Sequence, residues 1–124
     1  MTKAVLVFLG GGVGALARYG VQELSFKKWG GAYPLGTLIV NISGAFLIGF
    51  LMTIFLSRPS VSAETRVLLV TGLLGGYTTF SALTWETIQL FSQSGLGPSF
   101  FYVLASFVGG VGAVAMGVIL ARNF

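Results

Sequence analysis

Three long stretches without a charged residue constrain this chain more than any other feature of its sequence. Two of them hold 22 residues each, Leu35 to Leu56 and Phe100 to Ala121, and Val67 to Trp85 holds 19. A helix needs about 20 apolar residues to cross the ~30 Å hydrocarbon layer of a bilayer. Each stretch therefore predicts a membrane-spanning helix, and we expect the helix that starts at residue 67 to continue to about residue 92.

A fourth span is predicted at the start of the chain, over residues 4–22. The segment from Ala4 to Ala17 is uncharged, Arg18 interrupts it, and neutral residues follow to Gln22. A long arginine side chain near the end of a span can reach water or a polar cavity. A cleavable signal peptide also has a charged start and an apolar core, so it is the alternative interpretation of this segment. The glycines from Gly10 to Gly14 suit close helix packing and favour the span.

Composition excludes most soluble functions. Only 8% of the 124 residues are charged and the mean hydropathy is +0.93, whereas soluble domains have about 25% charged residues. A nucleic-acid partner is therefore not expected, despite the net charge of +4. The sequence has no cysteine and no histidine, which excludes disulfides, thiolate metal sites and histidine-based catalysis. We predict an all-α integral membrane protein with one four-helix domain over residues 1–124, surrounded by the lipid bilayer.

The positive charges divide almost evenly between the two sides of the membrane that four spans define. The side with both termini carries Lys3, Arg58, Arg66 and Arg122, and the other carries Lys27 and Lys28, with Arg18 near the same end. Orientation normally follows a clear excess of Lys and Arg on one side. This weak bias is compatible with one fixed orientation, and equally with insertion both ways round, which permits an antiparallel homodimer. Four short helices also enclose little space, so a transport pathway favours two copies.

The first span imitates a dinucleotide-binding fingerprint. Gly10, Gly12 and Ala15 fit the pattern G-x-G-x-x-A after a short apolar run. The context does not fit, because membrane spans follow where a strand and an acidic residue are required. We interpret Gly10 and Gly14 instead as a G-x-x-x-G face for helix packing.

Polar residues recur at helical spacing in the second and fourth spans. Thr37 and Asn41 are four residues apart and share one face, and so do Tyr102 and Ser106. Hydrogen bonds between helices explain such side chains at membrane depth. A second interpretation is that they line a pore, and the spacing alone leaves both open.

The third span contains three glycines in the five residues from Gly72 to Gly76, and two threonines, Thr78 and Thr79, follow. Glycine costs about 1 kcal/mol relative to alanine inside a helix, so this pattern predicts a break near Gly75, within residues 75–79. Irregular backbone at membrane depth is tolerated where it is buried or lines a wet cavity. A break offers carbonyl groups to a cation and free N–H groups to an anion. The alternative is a tight crossing of glycines without any ion.

The ionisable residues indicate what such a protein carries. The acidic residue of the third span, Glu86, stands beside Trp85 at the end of the apolar stretch, a pairing that also suits an anchor at the membrane interface. Cation pathways usually need a buried carboxylate. The spans instead offer hydroxyl and amide donors, a nearby Arg18 and the positive ring edge of Phe80. These groups favour a small anion.

The sequence resembles the Fluc-type (CrcB-type) fluoride channels, a family of short four-helix membrane proteins. The resemblance rests on GVGALARY (Gly12 to Tyr19), GTLIVNISG (Gly36 to Gly44) and GLLGGYTTFS (Gly72 to Ser81), and it extends over essentially the whole chain. The pattern G-x-x-G-G-x-T-T-F-S inside an apolar span is specific.

This resemblance implies a passive channel, not an enzyme, that exports fluoride across the bacterial inner membrane and relieves its accumulation in the cytoplasm. It implies an antiparallel, dual-topology homodimer with two pores. It also implies a structural sodium ion, not transported, which backbone carbonyls hold at the dimer centre. The positions that match those carbonyls are Gly75 and Thr78.

The resemblance further implies which side chains line the fluoride pathway, and it assigns electrostatic support to Arg18. The residues that match the family's pore are Asn41, Phe80, Ser81, Thr37, Tyr102 and Ser106.

The chain departs from the family pattern T-T-F-S-T-F directly after Ser81. Ala82 stands where a hydroxyl residue is expected, and Leu83 stands where a second pore phenylalanine is expected. Leucine has no electropositive ring edge, so a fluoride site at Leu83 is predicted to be weaker. The pathway then depends more on Ser81 and Thr84.

A proton-coupled exporter of cationic compounds is the alternative function, because such exporters are also small four-helix proteins. It requires a carboxylate embedded in the membrane, for which the third span offers only Glu86. A membrane subunit that conducts nothing, in which the glycines serve packing alone, is a third interpretation.

Overall fold

A computed structural model describes all 124 residues, and they form four helical passes. Helix α1 covers Thr2–Trp29 and helix α2 covers Leu35–Ser57. The third pass, Ala63–Ser94, is built from several helical segments, and the last helix covers Leu96–Ala121. All four passes are long and apolar enough to cross a membrane, which confirms the predicted architecture.

The first helix is longer than predicted. The sequence placed its end at residue 22, but α1 continues to Trp29. A helix of 28 residues is about 42 Å long, more than the ~30 Å hydrocarbon layer, so it is long enough to extend beyond the bilayer or to cross it at a tilt. Lys27 and Lys28 lie in the last turn, where positive charge interacts favourably with the helix dipole. Gly30 then ends the helix with a φ of 77°, a conformation that favours glycine.

The third pass begins with α3 (Ala63–Arg66), whose first turn is capped by Ser62. The hydroxyl of Ser62 accepts a hydrogen bond from the amide of Thr65 at 3.1 Å. A π-helix follows over Val67–Leu74, and then the short helix α4 (Gly75–Tyr77). The pass resumes as α5 (Phe80–Ser94).

The break in the third pass lies at Thr78 and Thr79, not at the glycines. Both threonines have extended backbone, with ψ angles of 157° and 118°, whereas Gly75 is helical. The prediction of a break within residues 75–79 is therefore confirmed, but its placement near Gly75 is wrong. The glycines have another use: a Cβ on Gly76 would collide with the carbonyl oxygen of Gly11 in α1. Gly76 thus lets two helices approach closely.

Glycines likewise set the contacts between α1 and the π-helix. A Cβ on Gly10 would lie 2.6 Å from the carbonyl oxygen of Leu68, and one on Gly14 would collide with that of Leu73. Real Cβ atoms essentially never come this close. Both glycines are buried within a continuous helix, which confirms that this motif packs helices and does not form a nucleotide-binding turn.

The second and fourth passes pack in the same way. The fourth helix is α6, Leu96–Ala121, and a Cβ on Gly117 would collide with the carbonyl oxygen of Phe46 in α2. A Cβ on Gly49 of α2 would likewise collide with the carbonyl oxygen of Val114 in α6. Each helix therefore contributes a glycine to the crossing.

The connection between α5 and α6 is a single residue, Gly95, with a φ of 85°. The fourth span was predicted to begin at Phe100, but α6 already begins at Leu96. The helices reverse direction without a loop because only glycine adopts this conformation freely.

Most large apolar side chains lie on the outside of this single chain. Phe8, Leu16, Phe107 and Ile119 are examples that are more than 60% exposed. Surface of this kind fits lipid tails or a protein partner and not water.

Candidate functional site

A partly buried carboxylate network joins four side chains from four helices near the α1–α2 connection. The hydroxyl of Thr37 in α2 donates to Glu86 Oε1 at 2.8 Å, and that of Tyr102 in α6 donates to Glu86 Oε2 at 2.7 Å. Gln22 Nε2 of α1 donates to the hydroxyl oxygen of Thr37 at 3.0 Å. Thr37 and Tyr102 are almost fully buried. The structure thus brings together two of the predicted pathway residues through a carboxylate.

Glu86 lies within α5, well before its end. The pairing with Trp85 also suits an anchor at the membrane interface, and the third span was predicted to continue to about residue 92; α5 continues two turns beyond Glu86 to Ser94, and Glu86 is half-buried. Acidic residues inside spans are rare and usually functional. That rule was the signal available from the sequence. Nothing in the sequence signalled Gln22 as the partner of Thr37.

Two buried hydroxyl oxygens near this network have no hydrogen-bond partner in the chain. One belongs to Ser106, which lies one helical turn after Tyr102 in α6. The other belongs to Tyr33 in the α1–α2 connection, a residue to which no sequence pattern pointed. The Tyr33 ring packs edge-on against the Tyr102 ring, with 5.6 Å between their centroids. Burial raises the pKa of Tyr33, so its hydroxyl keeps its proton at neutral pH.

A second polar region surrounds the break in the third pass. The side-chain amide of Asn41 binds the main chain of Thr79 on both sides: its Oδ1 accepts from the Thr79 amide at 2.8 Å, and its Nδ2 donates to the Thr79 carbonyl at 3.0 Å. These bonds replace the helical ones that the extended backbone loses. The Asn41 nitrogen has a second hydrogen, which leaves one donor for a ligand.

The break also creates a helix start at membrane depth. Thr79 caps α5, since its hydroxyl accepts from the Ala82 amide at 3.2 Å. The first amides of a helix have no intrahelical acceptor, and they form the positive end of its dipole. Phe80 and Ser81 occupy this first turn, and both are exposed, Phe80 to 77%. The Ser81 hydroxyl lies 3.3 Å from that of Thr79.

The remaining predicted pathway residues lie further along α5. Thr84 is exposed, but its hydroxyl donates to the carbonyls of Phe80 and Ser81, at 3.2 Å and 3.0 Å. Leu83 is half-buried. The break and the carboxylate network are linked through α2, because Asn41 follows Thr37 by one turn. Arg18, predicted to give electrostatic support, is half-buried on α1.

The two carbonyls predicted to bind a cation have lost their usual helical donors. The amide four residues after Gly75 belongs to Thr79 and binds Asn41, and the one four residues after Thr78 belongs to Ala82 and binds the Thr79 hydroxyl. Main-chain oxygens without a charged side chain suit a hard monovalent cation.

The fold and these two polar regions define a class: a four-pass integral membrane protein with a broken third pass and polar groups at membrane depth. Comparison with known sequences identifies the group within that class. The chain belongs to the family described as "CrcB-like protein, Camphor Resistance (CrcB)", whose sequence model matches residues 5–118.

Curated relatives resemble this chain over almost their whole length. The chain is 46% identical over 123 residues to the "Fluoride-specific ion channel FluC" of Agrobacterium fabrum, covering 99% of this chain and 98% of the relative. It is 42% identical over 118 residues to the protein with the same name from Roseiflexus, covering 95% of each chain. The one from Solibacter usitatus is 42% identical over 121 residues, or 98% of this chain and 99% of the relative. Ion channels are not a class of enzyme.

Proposed function

We propose that the protein is a passive, fluoride-selective ion channel of the bacterial inner membrane that lowers cytoplasmic fluoride. The names of its relatives support fluoride as the ion. The observation that carries the proposal is the exposed helix start at Phe80 and Ser81. Unpaired amides at membrane depth are costly in lipid, so they require an ion, water or another chain.

The channel is formed by two copies in antiparallel orientation, with two pores in the dimer. In one copy Phe80 and Ser81 are exposed at the helix start that follows the break, and lipid cannot satisfy the amides of a helix start. A second copy, related by a two-fold axis in the membrane plane, would place its own break against this one and cover it. The near-even distribution of Lys and Arg supports insertion in both orientations.

Fluoride loses its water stepwise along hydrogen-bond donors. The second hydrogen of the Asn41 amide and the hydroxyl of Ser81 offer donors at the break, and Phe80 offers its ring edge. Ser106 has an uncommitted hydroxyl further along the bundle. From there the path reaches Thr37 and Tyr102, whose hydroxyl protons exchange between Glu86 and the passing anion.

A structural sodium ion fits the carbonyl groups of Gly75 and Thr78. Each has lost its helical donor, and a dimer axis at the break would double the number of oxygens. When bound, this cation supplies positive charge between the two copies. The two carbonyl groups would bind the sodium ion as a fixed part of the structure, and the channel would not transport it.

Fluoride efflux from liposomes tests the function directly. Purified protein in liposomes loaded with potassium fluoride, with valinomycin to balance charge, is expected to release fluoride to an electrode. Liposomes loaded with potassium chloride are expected to retain chloride. Equal release of the two halides would contradict selectivity, and no fluoride release would contradict the channel itself.

Cysteine labelling tests the dual topology, because the chain has no cysteine of its own. Lys28→Cys and Arg122→Cys place a thiol at opposite ends of the bundle. An impermeant maleimide added outside intact cells is expected to label part of the population of each variant, with complete labelling after lysis. Labelling of only one variant would contradict insertion in both orientations.

The role of sodium is tested by purification. Protein prepared in sodium is expected to conduct fluoride, and protein prepared with a large organic cation is expected to lose activity until sodium is returned. Gly75 and Thr78 contribute through their backbone, so Thr78→Ser is the matched control and is expected to keep the sodium requirement. Full activity without any sodium would contradict this part of the proposal.

One observation favours the alternative, a proton-coupled exporter of cationic compounds: Glu86 is a carboxylate inside a membrane pass. Its two oxygens accept hydrogen bonds from Thr37 and Tyr102. This arrangement suits a structural carboxylate or one in an anion pathway as well as it suits a proton carrier. Uptake of an organic cation driven by a pH gradient, lost in Glu86→Gln, would favour the exporter. Fluoride efflux that needs no proton gradient would oppose it.

A further inference from the structure

A cavity opens beside the carboxylate network, at the end of the bundle where α1 and α2 are connected. Its volume is about 410 Å³, enough for several water molecules at about 30 Å³ each. The cavity is lined by Gln22, Ser25, Tyr33, Thr37, Glu86 and Gln93, among others. Water therefore reaches the outer side of the network in a single chain.

Tyr33 stands between this cavity and Tyr102. Its ring contacts the Tyr102 ring at an interplanar angle of 82°. Its hydroxyl oxygen is buried and makes no hydrogen bond with the chain. A buried polar atom without a partner is rare and requires an explanation, such as a ligand or water that it binds.

The Tyr33 hydroxyl differs from those of Thr37 and Tyr102 in that its proton is not donated within the chain. Thr37 and Tyr102 already donate their protons to Glu86, and Tyr33 donates to no group of the chain. Ser106, one turn deeper in α6, is in the same condition. Two uncommitted hydroxyls therefore lie next to Tyr102: that of Tyr33, whose ring packs against it and lines the cavity, and that of Ser106, one turn deeper in α6.

We propose that the Tyr33 hydroxyl is a further anion-binding position, at which fluoride leaving Ser106 and the carboxylate network is held before it becomes hydrated in the cavity. This inference rests on the proposed channel function. An outer donor matters because the carboxylate repels an anion that has passed it. A hydroxyl that binds the anion on the cavity side of Glu86 stabilises the ion while its hydration shell is still incomplete.

The variant Tyr33→Phe tests this position with little structural change. It removes one oxygen and keeps the ring against Tyr102. No hydrogen bond within the chain is lost, so the thermal unfolding temperature is expected to stay the same or rise. Fluoride efflux at low fluoride concentration is expected to fall about tenfold, as for the loss of one donor to a charged group. The fluoride concentration at half-maximal flux is expected to increase.

Tyr19→Phe is the matched control, because Tyr19 is exposed on α1 and loses the same oxygen. It is expected to leave efflux unchanged. If Tyr33→Phe also leaves efflux and its concentration dependence unchanged, the inference is wrong while the channel function stands. Reduced efflux with an equal loss of stability would assign Tyr33 a structural role and also overturn it. No fluoride efflux from the unmodified protein would reject the proposed function itself.

Discussion

The carboxylate network and the break are both polar regions inside a membrane protein, but one chain completes only the first. In the network, both oxygens of Glu86 accept hydrogen bonds from side chains of α2 and α6. At the break, Asn41 satisfies the main chain of Thr79, but Phe80 and Ser81 remain exposed at a helix start.

The difference teaches which contacts belong to folding and which to assembly. A network closed within the chain stabilises each copy on its own. A break that exposes donors at membrane depth is tolerated when a partner or an ion covers it. We therefore expect substitutions in the network to lower the stability of a single copy, and substitutions on the exposed side of the break to act on conduction.

The largest effect is expected for Asn41→Leu. The amide and carbonyl of Thr79 would lose their partners, at about 1–3 kcal/mol for each buried group left unsatisfied. Fluoride efflux should be abolished and the yield of folded protein should fall. The control is Asn123→Leu, which removes only a bond to the Ile119 carbonyl at the exposed end of α6. Equal behaviour of the two variants would mean that Asn41 does not hold the break.

A smaller effect is expected for Tyr102→Phe, which removes one of the two hydrogen bonds to Glu86. The free energy of unfolding should fall by about 1.5–3 kcal/mol, the usual contribution of a hydrogen bond to a charged group. Tyr77→Phe is the matched control, because its hydroxyl lies 2.9 Å from that of Ser43, a neutral partner. The free energy of unfolding of Tyr77→Phe should fall by only about 1 kcal/mol. Chemical denaturation monitored by tryptophan fluorescence measures both, and a larger loss in Tyr77→Phe would contradict the importance of the carboxylate.

Replacing the helix cap at the break should have a moderate effect. Thr79→Val removes the hydroxyl that accepts from the Ala82 amide, and the loss of a cap costs about 1 kcal/mol. Thr79→Ser keeps the hydroxyl and should retain stability and efflux. If the serine variant behaves like the valine variant, the methyl group and not the cap is what matters at this position.

The smallest effect is expected at Thr84. Its hydroxyl proton is donated to the carbonyls of its own helix, so it is not free to bind an anion. Thr84→Ala should therefore change fluoride efflux little, whereas Ser81→Ala should reduce it clearly. An equal reduction in both variants would show that exposure on α5 defines the pathway, and not whether the hydroxyl proton is donated to a carbonyl of the helix.

The spans were predictable from the sequence because apolar length is a direct requirement of the bilayer. The full lengths of α1 and α6 were not predictable in this way, because a helix can continue past its apolar stretch into polar residues. The break lies three residues after its predicted position at Gly75, and the reason is different. Gly75 and Gly76 were interpreted as helix breakers, but Gly76 is required where α4 passes the backbone of Gly11. Glycine for flexibility and glycine for close packing look identical in a sequence.

The spacing of Thr37 and Asn41 predicted that they share a face of α2, but not what either side chain binds. Glu86 is 49 residues from Thr37 and 16 from Tyr102 along the chain, so their hydrogen bonds depend on how three helices pack. No sequence signal pointed to Tyr33, because it lies in a connection and outside the helical patterns.

The single glycine between α5 and α6 has a practical consequence for imaging a protein this small. A fusion partner that adds mass for electron cryomicroscopy needs an attachment site where the chain can be opened. Gly95 is unsuitable, since it is the only residue between α5 and α6 and its φ of 85° favours glycine. The turn at Pro59 and Ser60 is exposed and lies outside both neighbouring helices, so an inserted domain there leaves the bundle intact.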